Sequence, residues 1–315
     1  MNARVFSPAK PPPHNLGPQT VTATLARGTV TLAKSSPTPR VDAQILLAFT
    51  LGREREWLLA HGESFLSRAQ SDKYIALCEK RATGMPVAYI TGFAAFYGRE
   101  FAVNEHVLIP RPETEHLVED AIAHLRSKID ASAPMKQLFT VFEAGVGSGA
   151  IACTIAAEVT GAVVDGTDAS APALKVADYN ARRLNVHTRC KFHYADVVKS
   201  TDERSYDLVV ANLPYVPSGD VPQKPDPVGF EPRTALDGGA DGLVHYRKLL
   251  AAAARMLRSG ALLLMEAAPP TIMPLRDLTA AALPHAEIDV RHDYAAQARY
   301  LHVKVPSSFD RLRMT

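Results

Sequence analysis

Cysteine is scarce in this chain of 315 residues. The three cysteines, Cys78, Cys153 and Cys190, lie far apart, and none belongs to a C-x-x-C pair. This spacing is not that of a disulfide framework or a zinc site. It favours a reducing compartment.

Long apolar runs and long basic runs are missing as well. The longest apolar stretches, such as residues 261–265, are far shorter than the roughly 20 residues that cross a bilayer. The formal net charge is only +2, and no run has five or more basic residues, whereas proteins that follow a nucleic-acid backbone usually show a basic stripe. We therefore expect a cytoplasmic monomer with no membrane association and no strong nucleic-acid binding.

Acidic residues are absent from residues 1–40, which contain five Lys or Arg and many Pro, Ser and Thr. Pro11-Pro12-Pro13 and Ser36-Pro37-Thr38-Pro39 argue against a helix, so this segment is predicted to be a flexible extension. An organelle transit peptide shares this composition, but the prolines would break the amphipathic helix that such peptides form. Residues 306–315 are predicted to be a frayed tail.

The periodicity of the remaining chain predicts two domains. Residues 41–105 are predicted to form a small helical domain followed by a linking hairpin with glycine turns. Residues 106–305 alternate between strands and helices, which predicts an α/β domain with a mostly parallel, doubly wound sheet. Its seven predicted strands cover residues 138–142, 162–167, 191–194, 207–211, 261–265, 286–291 and 300–305. Ligands of such sheets bind beyond the carboxyl ends of the strands, where strand order reverses.

A glycine-rich turn follows the first of these strands. It consists of Gly145, Val146, Gly147, Ser148 and Gly149, and we call residues 145–149 the glycine turn. Glycines at such a place permit a tight turn and let backbone N–H groups approach a ligand at the helix N-terminus. The same residues, followed by Ala150, also satisfy the dinucleotide fingerprint. A ligand-free turn between strand and helix is a further interpretation.

Two carboxylates follow the next two strands. Asp168 is placed to accept hydrogen bonds from the ribose hydroxyls of a nucleoside cofactor, although it would also serve as a helix N-cap. Asp196 stands where the base of a nucleotide would lie, and it could accept from an adenine amino group or be a plain turn carboxylate.

The tetrapeptide Asn212-Leu213-Pro214-Tyr215 closes the fourth strand. An amide or exocyclic amine nitrogen is planar and a poor nucleophile, so an enzyme that methylates it must accept both N–H groups and aim the nitrogen at the methyl donor. The side-chain oxygen of Asn212 and the backbone oxygen of Leu213 are predicted to be those acceptors. Pro214 would stiffen the turn, and Tyr215 would pack on the planar group.

Together with residues 107–115 and the Phe230-Glu231-Pro232 segment, these motifs give a resemblance to a known family. From about residue 39 to residue 305, the chain resembles the HemK/PrmC protein-(glutamine-N5) methyltransferases. These enzymes transfer a methyl group from S-adenosyl-L-methionine to the glutamine of the Gly-Gly-Gln loop in class I peptide-chain release factors. The resemblance implies a seven-stranded, Rossmann-like class I methyltransferase sheet with a small N-terminal helical domain.

The resemblance also implies roles for individual residues. It implies cofactor contacts from the glycine turn, Asp168, Val197 and Asn212, and amide recognition by residues 212–215. The segment 109–115 resembles part of the site wall, while Glu113 and Glu115 fit equally well as first-turn helix carboxylates. For Glu231, a role in stiffening its turn is expected.

The chain departs from the family pattern at several positions: Glu143, Val146, Val197, Leu213 and Ala267. Leucine at position 213 replaces a proline, which adds an N–H group and frees φ. Three other functions stay open at this point: an adenine-N6 methyltransferase of nucleic acid, a glutamine methyltransferase of a ribosomal protein, and a binding protein that keeps the fold without activity. A dehydrogenase is disfavoured, because that function gives no role to the tetrapeptide at residues 212–215.

Overall fold

Residues 19–129, 137–198, 205–293 and 295–308 are described in the computed structural model. The chain divides after Thr91 into a helical unit and a larger unit that begins at Gly92. The helices of the first unit are α1 (Val21–Leu32), α2 (Pro39–Leu51), α3 (Arg55–Ala60), α4 (Arg68–Ala82) and α5 (Val87–Thr91). Their apolar faces share one core, which includes Leu46, Leu47 and Tyr74.

Helix α1 corrects the prediction that residues 1–40 form a flexible extension; residues 1–18 of that segment lie outside the described residues. The prolines of the segment all fall outside residues 21–32, and Thr20 caps the helix by accepting from the Ala23 N–H at 3.2 Å. Val21, Gly28 and Leu32 are buried along one side of α1. The glycine is needed there, because a Cβ at Gly28 would lie 1.8 Å from the Tyr74 hydroxyl.

The second unit begins with a hairpin of β1 (Phe93–Phe96) and β2 (Arg99–Ala102). Its elements then follow in the order α6 (Thr114–Ser127), β3 (Phe139–Ala144), α7 (Ala150–Glu158), β4 (Ala162–Asp168), α8 (Ala171–Arg183), β5 (Cys190–Tyr194), β6 (Tyr206–Ala211), α9 (Val244–Met256), β7 (Leu257–Glu266), α10 (Pro269–Ala282), β8 (Glu287–His292) and β9 (Ala298–Lys304). The hairpin, which we grouped with the helical domain, belongs to this unit because Asn180 of α8 bonds both the N–H and the carbonyl of Ala102.

Seven of these strands form one sheet in the order β5-β4-β3-β6-β7-β9-β8. The strands from β5 to β7 are parallel, and β9 is antiparallel to both of its neighbours. Strand order therefore reverses at β3, which pairs with β4 on one side and β6 on the other. The predicted fold class, a mostly parallel Rossmann-like sheet with an N-terminal helical domain, is confirmed.

Helix α10 was not predicted, because three prolines fall within residues 269–282. Pro269 and Pro270 occupy the first turn, where a missing N–H costs no helical hydrogen bond. Pro274 lies inside the helix, whose buried side, including Ile272 and Leu275, packs into the core on one face of the sheet. Burial of this side outweighs the low helix propensity of proline.

Among the described residues, no helix has the length and hydropathy needed to span a membrane. No cluster of His, Cys, Asp and Glu in this part of the chain could hold a metal ion. The three cysteines are buried free thiols.

Candidate active site

A cavity of about 520 Å³ lies where β3, β4, β5 and β6 end. This volume is in the range of small-molecule sites, about 300–1,000 Å³. The predicted residues that line it are Gly145, Val146, Gly147, Ser148, Asp168, Asp196, Val197, Asn212, Leu213 and Pro214. The strand reversal at β3 thus brings together most of the residues that were singled out, which come from four separate segments of the chain.

The glycine turn joins β3 to α7, and its three glycines all have positive φ. The N–H groups of Gly145 and Val146 donate to the Thr167 carbonyl at 2.9 and 3.0 Å, which ties the turn to β4. A Cβ at Gly145 would lie 3.0 Å from Cδ2 of Leu213. Glycine at this position therefore permits both the left-handed backbone and the close approach of the β6 end.

Glu143, which precedes this turn, binds to the helix that follows it. Its side chain is buried, and Oε2 accepts from the N–H of Ala152 in the first turn of α7 at 3.0 Å. Burial raises the pKa of Glu143 well above its usual range, although the Ala152 N–H acts in the opposite direction. Glu143 is one of the departures from the family pattern. Its side chain thus reaches a helix N–H that would otherwise lack a partner.

Asp168, at the end of β4, holds the turn from the other side. Its two carboxylate oxygens accept from the N–H groups of Gly147 and Ser170, each at 2.8 Å. Burial raises its pKa, while these two hydrogen bonds lower it. A carboxylate has about four acceptor positions, so two remain for a ligand in the cavity. The helix N-cap considered as the alternative role is instead Ser170, which accepts from the Ala173 N–H.

Asp196 and Val197 line the cavity just after β5. The Asp196 carboxylate forms an ion pair with Lys248 at 2.6 Å, and more than half of its side-chain surface is exposed. Val197 is buried and has a φ of 66°, which is rare for a β-branched residue. Its carbonyl accepts from the Thr167 hydroxyl at 2.5 Å, so β4 holds this backbone conformation.

Asn212 follows β6 and has one side-chain partner among the described residues. Its Nδ2 donates to the Thr114 hydroxyl at 3.1 Å, and both residues line the cavity. With the amide nitrogen so engaged, no described residue donates to Oδ1, which stays available as an acceptor. Thr114 itself is buried at the start of α6.

The other three residues of the tetrapeptide have different surroundings. Leu213 is buried, and its N–H donates to the Tyr246 hydroxyl at 3.2 Å. Pro214 lines the cavity, whereas Tyr215 is not among the lining residues. The Tyr215 hydroxyl instead donates to Oε1 of Glu266 at 3.4 Å. Packing of Tyr215 on a planar guest therefore stays a prediction.

Glu266, at the end of β7, contacts Tyr215 of the tetrapeptide and was not predicted as a site residue. Burial raises its pKa to about 7 against the opposing effects of the Thr114 hydroxyl, Arg299 and the Tyr215 hydroxyl. A carboxyl group with such a pKa changes its charge near neutral pH.

The wall opposite the sheet comes from the segment before α6. Arg111 lines the cavity, and its Nη2 lies 2.5 Å from Oε1 of the buried Glu231. Oε2 of Glu231 accepts from the Ile109 N–H at 3.0 Å. Glu231, expected to stiffen its own turn, thus holds the wall segment. Glu115 accepts from the Tyr97 N–H at 2.9 Å, and neither it nor Glu113 lines the cavity.

Comparisons with known proteins agree with this arrangement. Residues 23–92 match the family model of the PrmC N-terminal domain, and residues 120–224 match that of the methyltransferase small domain. The release factor glutamine methyltransferase of Moorella thermoacetica is 38% identical over 261 residues, which cover 83% of this chain and 89% of that protein. The chain belongs to the release factor glutamine methyltransferase family.

Two other members of this family show the same extent of similarity. The release factor glutamine methyltransferase of Nitratidesulfovibrio vulgaris is 37% identical, with 84% of this chain and 88% of that protein covered. That of Chlorobaculum tepidum is 36% identical, with coverages of 81% and 87%. The family resemblance inferred from the motifs is confirmed.

The cavity fits the S-adenosyl-L-methionine that this family implies. Asp168 has free acceptor positions for ribose hydroxyls, and the glycine turn brings backbone and small side chains against the cavity at the N-terminus of α7. Val197 and Tyr194 add apolar surface to the cavity after β5.

Proposed function

We propose that the protein transfers a methyl group from S-adenosyl-L-methionine to the side-chain amide nitrogen of the glutamine in the Gly-Gly-Gln loop of class I release factors. The observation that carries this proposal is the hydrogen bond from Asn212 Nδ2 to Thr114. It leaves the Asn212 oxygen as an acceptor at the cavity, beside the glycine turn. Membership of the family supports the choice of substrate.

The chemistry requires two acceptors for one NH₂ group. Asn212 Oδ1 would accept one N–H and the Leu213 carbonyl the other, because both follow directly on β6. With both hydrogens bound in this plane, the nitrogen faces the donor's methyl group. When bound, S-adenosyl-L-methionine supplies an electrophilic methyl on a sulfonium. Holding two reactants in line would lower the activation barrier by a part of the roughly 7–11 kcal/mol that proximity and orientation can supply.

The remaining residues would bind the donor and shape the cavity. The glycine turn and Asp168 would bind its amino-acid and ribose portions, and Asp196 and Val197 would lie at its base. The nitrogen gives up a proton only after it has gained the methyl group, so no strong base has to act before transfer. Arg111, held by Glu231, would keep the wall segment over the reacting groups.

The helical unit would dock the release factor. Residues 23–92 match the PrmC N-terminal domain, and Leu59 and Phe65 of this unit are 70% and 69% exposed. Burial of these two side chains against the release factor would contribute to the free energy of docking. We also propose that the enzyme acts as a cytoplasmic monomer without strong nucleic-acid binding. Its nearly balanced charge supports the last of these points.

A labelling experiment tests the substrate. The enzyme is incubated with labelled methyl donor and either a class I release factor or its variant with alanine in place of the loop glutamine. We expect one methyl group on the former and none on the latter by intact mass. Equal labelling of both, or label found in ribosomal RNA in their place, would rule out this substrate.

A further inference from the structure

Leu213 has a backbone N–H group that must be satisfied, because this residue is buried. Its partner is the hydroxyl of Tyr246 on α9, at 3.2 Å. Tyr246 is itself fully buried, and its hydroxyl donates to the backbone carbonyl of Glu266 at the end of β7. One hydroxyl therefore links the ends of the neighbouring strands β6 and β7.

The direction of these hydrogen bonds matters for the Leu213 carbonyl. A phenol has a single proton to donate, and the Glu266 carbonyl is the nearer acceptor, whereas the Leu213 carbonyl is 3.5 Å from the Tyr246 oxygen. Because the Tyr246 hydroxyl donates its proton to the Glu266 carbonyl, it accepts from the Leu213 N–H and leaves the Leu213 carbonyl free. Burial raises the pKa of Tyr246 well above its usual range, so the hydroxyl stays protonated.

Leu213 also lacks the ring that fixes φ in proline. Its backbone is followed by Pro214, which restricts it to extended conformations but leaves a broad range of φ. The hydrogen bond to Tyr246 fixes the peptide unit that carries the Leu213 N–H, and the same hydroxyl lies 3.5 Å from the Leu213 carbonyl oxygen. One buried hydroxyl therefore bounds the backbone on both sides of φ. The orientation of the adjoining carbonyl depends on the same backbone.

We propose that Tyr246 is a positioning residue, whose hydroxyl fixes the Leu213 backbone so that its carbonyl accepts from the substrate amide. The inference rests on the proposed function for its substrate. It assigns to one buried hydroxyl a restraint on the backbone at residue 213, a position at which proline would restrain φ through its ring.

Four proteins test it: the wild type, Tyr246→Phe, Leu213→Pro, and the double variant. Tyr246→Phe should lower kcat roughly tenfold, the effect of one lost buried hydrogen bond. The dissociation constant of S-adenosyl-L-methionine should change less than about twofold, because no hydrogen bond between the donor and Tyr246 is expected. Leu213→Pro removes the N–H and fixes φ. In that background, Tyr246→Phe should lower kcat by less than about threefold, because the two residues act as one unit.

Tyr300→Phe is the matched control. It removes the same atom from another buried tyrosine of this unit, whose hydroxyl donates to Asp120 at 2.9 Å. Its kcat should equal that of the wild type. Thermal unfolding of both phenylalanine variants shows whether each is folded at the assay temperature.

A second readout does not depend on methyl transfer. In protein labelled with ¹⁵N-leucine, exchange of the Leu213 amide hydrogen should be faster in Tyr246→Phe and unchanged in Tyr300→Phe. Equal exchange in wild type and Tyr246→Phe, or an equal fall in kcat with and without Leu213→Pro, would overturn the inference. A wild-type enzyme that leaves the release factor unmodified would instead overturn the proposed function, while the exchange rates still decide whether Tyr246 holds Leu213.

Discussion

The two ends of the cavity are built in different ways. Around Asn212 and Leu213, buried hydroxyls of Thr114 and Tyr246 engage the amide nitrogen of one residue and the backbone N–H of the other. At the opposite end, Asp196 is exposed and pairs with Lys248.

The difference agrees with what each end is proposed to recognise. Two acceptors for one planar nitrogen would have to be placed to within a few tenths of an ångström, which buried side chains favour. A nucleoside offers many polar atoms and a large apolar surface, so a backbone turn and one well-held carboxylate, Asp168, would suffice. We therefore expect substitutions at the first end to change kcat and those at the second end to change donor affinity.

The largest effect is expected for Asn212→Ala, which removes one of the two acceptors. By analogy with the loss of one preorganised transition-state hydrogen bond, kcat should fall roughly 10²–10³-fold. Initial rates of methyl incorporation measure it, and calorimetric titration with S-adenosyl-L-methionine serves as the control. A variant that kept kcat but lost donor affinity would contradict the division between the two ends.

The second prediction concerns Glu266, which lies next to the Asn212 end. Burial raises its pKa from 4.5 to about 7, so between these values the folded protein holds a proton that the unfolded chain has released. The free energy of unfolding should therefore fall as pH rises from about 5 to 7, by on the order of 3 kcal/mol, and then level off.

Glu266→Gln removes this titration and keeps the shape of the side chain. Denaturant unfolding at pH 5, 6, 7 and 8 should show a smaller pH dependence for this variant than for the wild type, with the difference confined to the range below about pH 7. Identical slopes would mean that Glu266 is charged throughout and stabilised by Arg299 and the two hydroxyls.

Asp168→Ala tests the other end. It removes a carboxylate that holds the Gly147 and Ser170 N–H groups, and the dissociation constant of S-adenosyl-L-methionine should rise roughly 10–100-fold, as expected for hydrogen bonds to a charged group. Asp196→Ala removes an exposed, paired carboxylate and should raise it by at most about threefold. Equal effects of the two substitutions would place the donor nearer to Asp196 than we propose.

A smaller effect on kcat than that of Asn212→Ala is expected for Thr114→Val, which is isosteric but cannot accept from Asn212. The amide of Asn212 is then free to turn, and kcat should fall by about tenfold, the effect of one hydrogen bond, with unchanged donor affinity. Thr114→Ser keeps the hydroxyl and should recover most of the activity. Equal rates for the serine and valine variants would contradict a specific role of the Thr114 hydroxyl.

Much of the fold was predictable because its signals are local. The strands β3 and β6 are short, mostly apolar runs, and glycines with positive φ mark the turn that follows β3. Helices α1 and α10 were missed, since neighbouring prolines lower the predicted helix content while burial of one side of each helix decides the outcome. The hairpin was found but placed in the wrong unit, because its partner Asn180 is 78 residues away.

The sequence by itself located the proposed acceptors at residues 212 and 213, the glycine turn and the carboxylate at position 168, because each depends on residue type next to a strand end. Only the tertiary structure decided which way Asn212 faces and what holds Leu213. Thr114 is 98 residues from Asn212, and Tyr246 is 33 residues from Leu213. Hydrogen bonds over such separations form only when sheet order has brought α6, β6 and α9 together, and no local pattern carries that information.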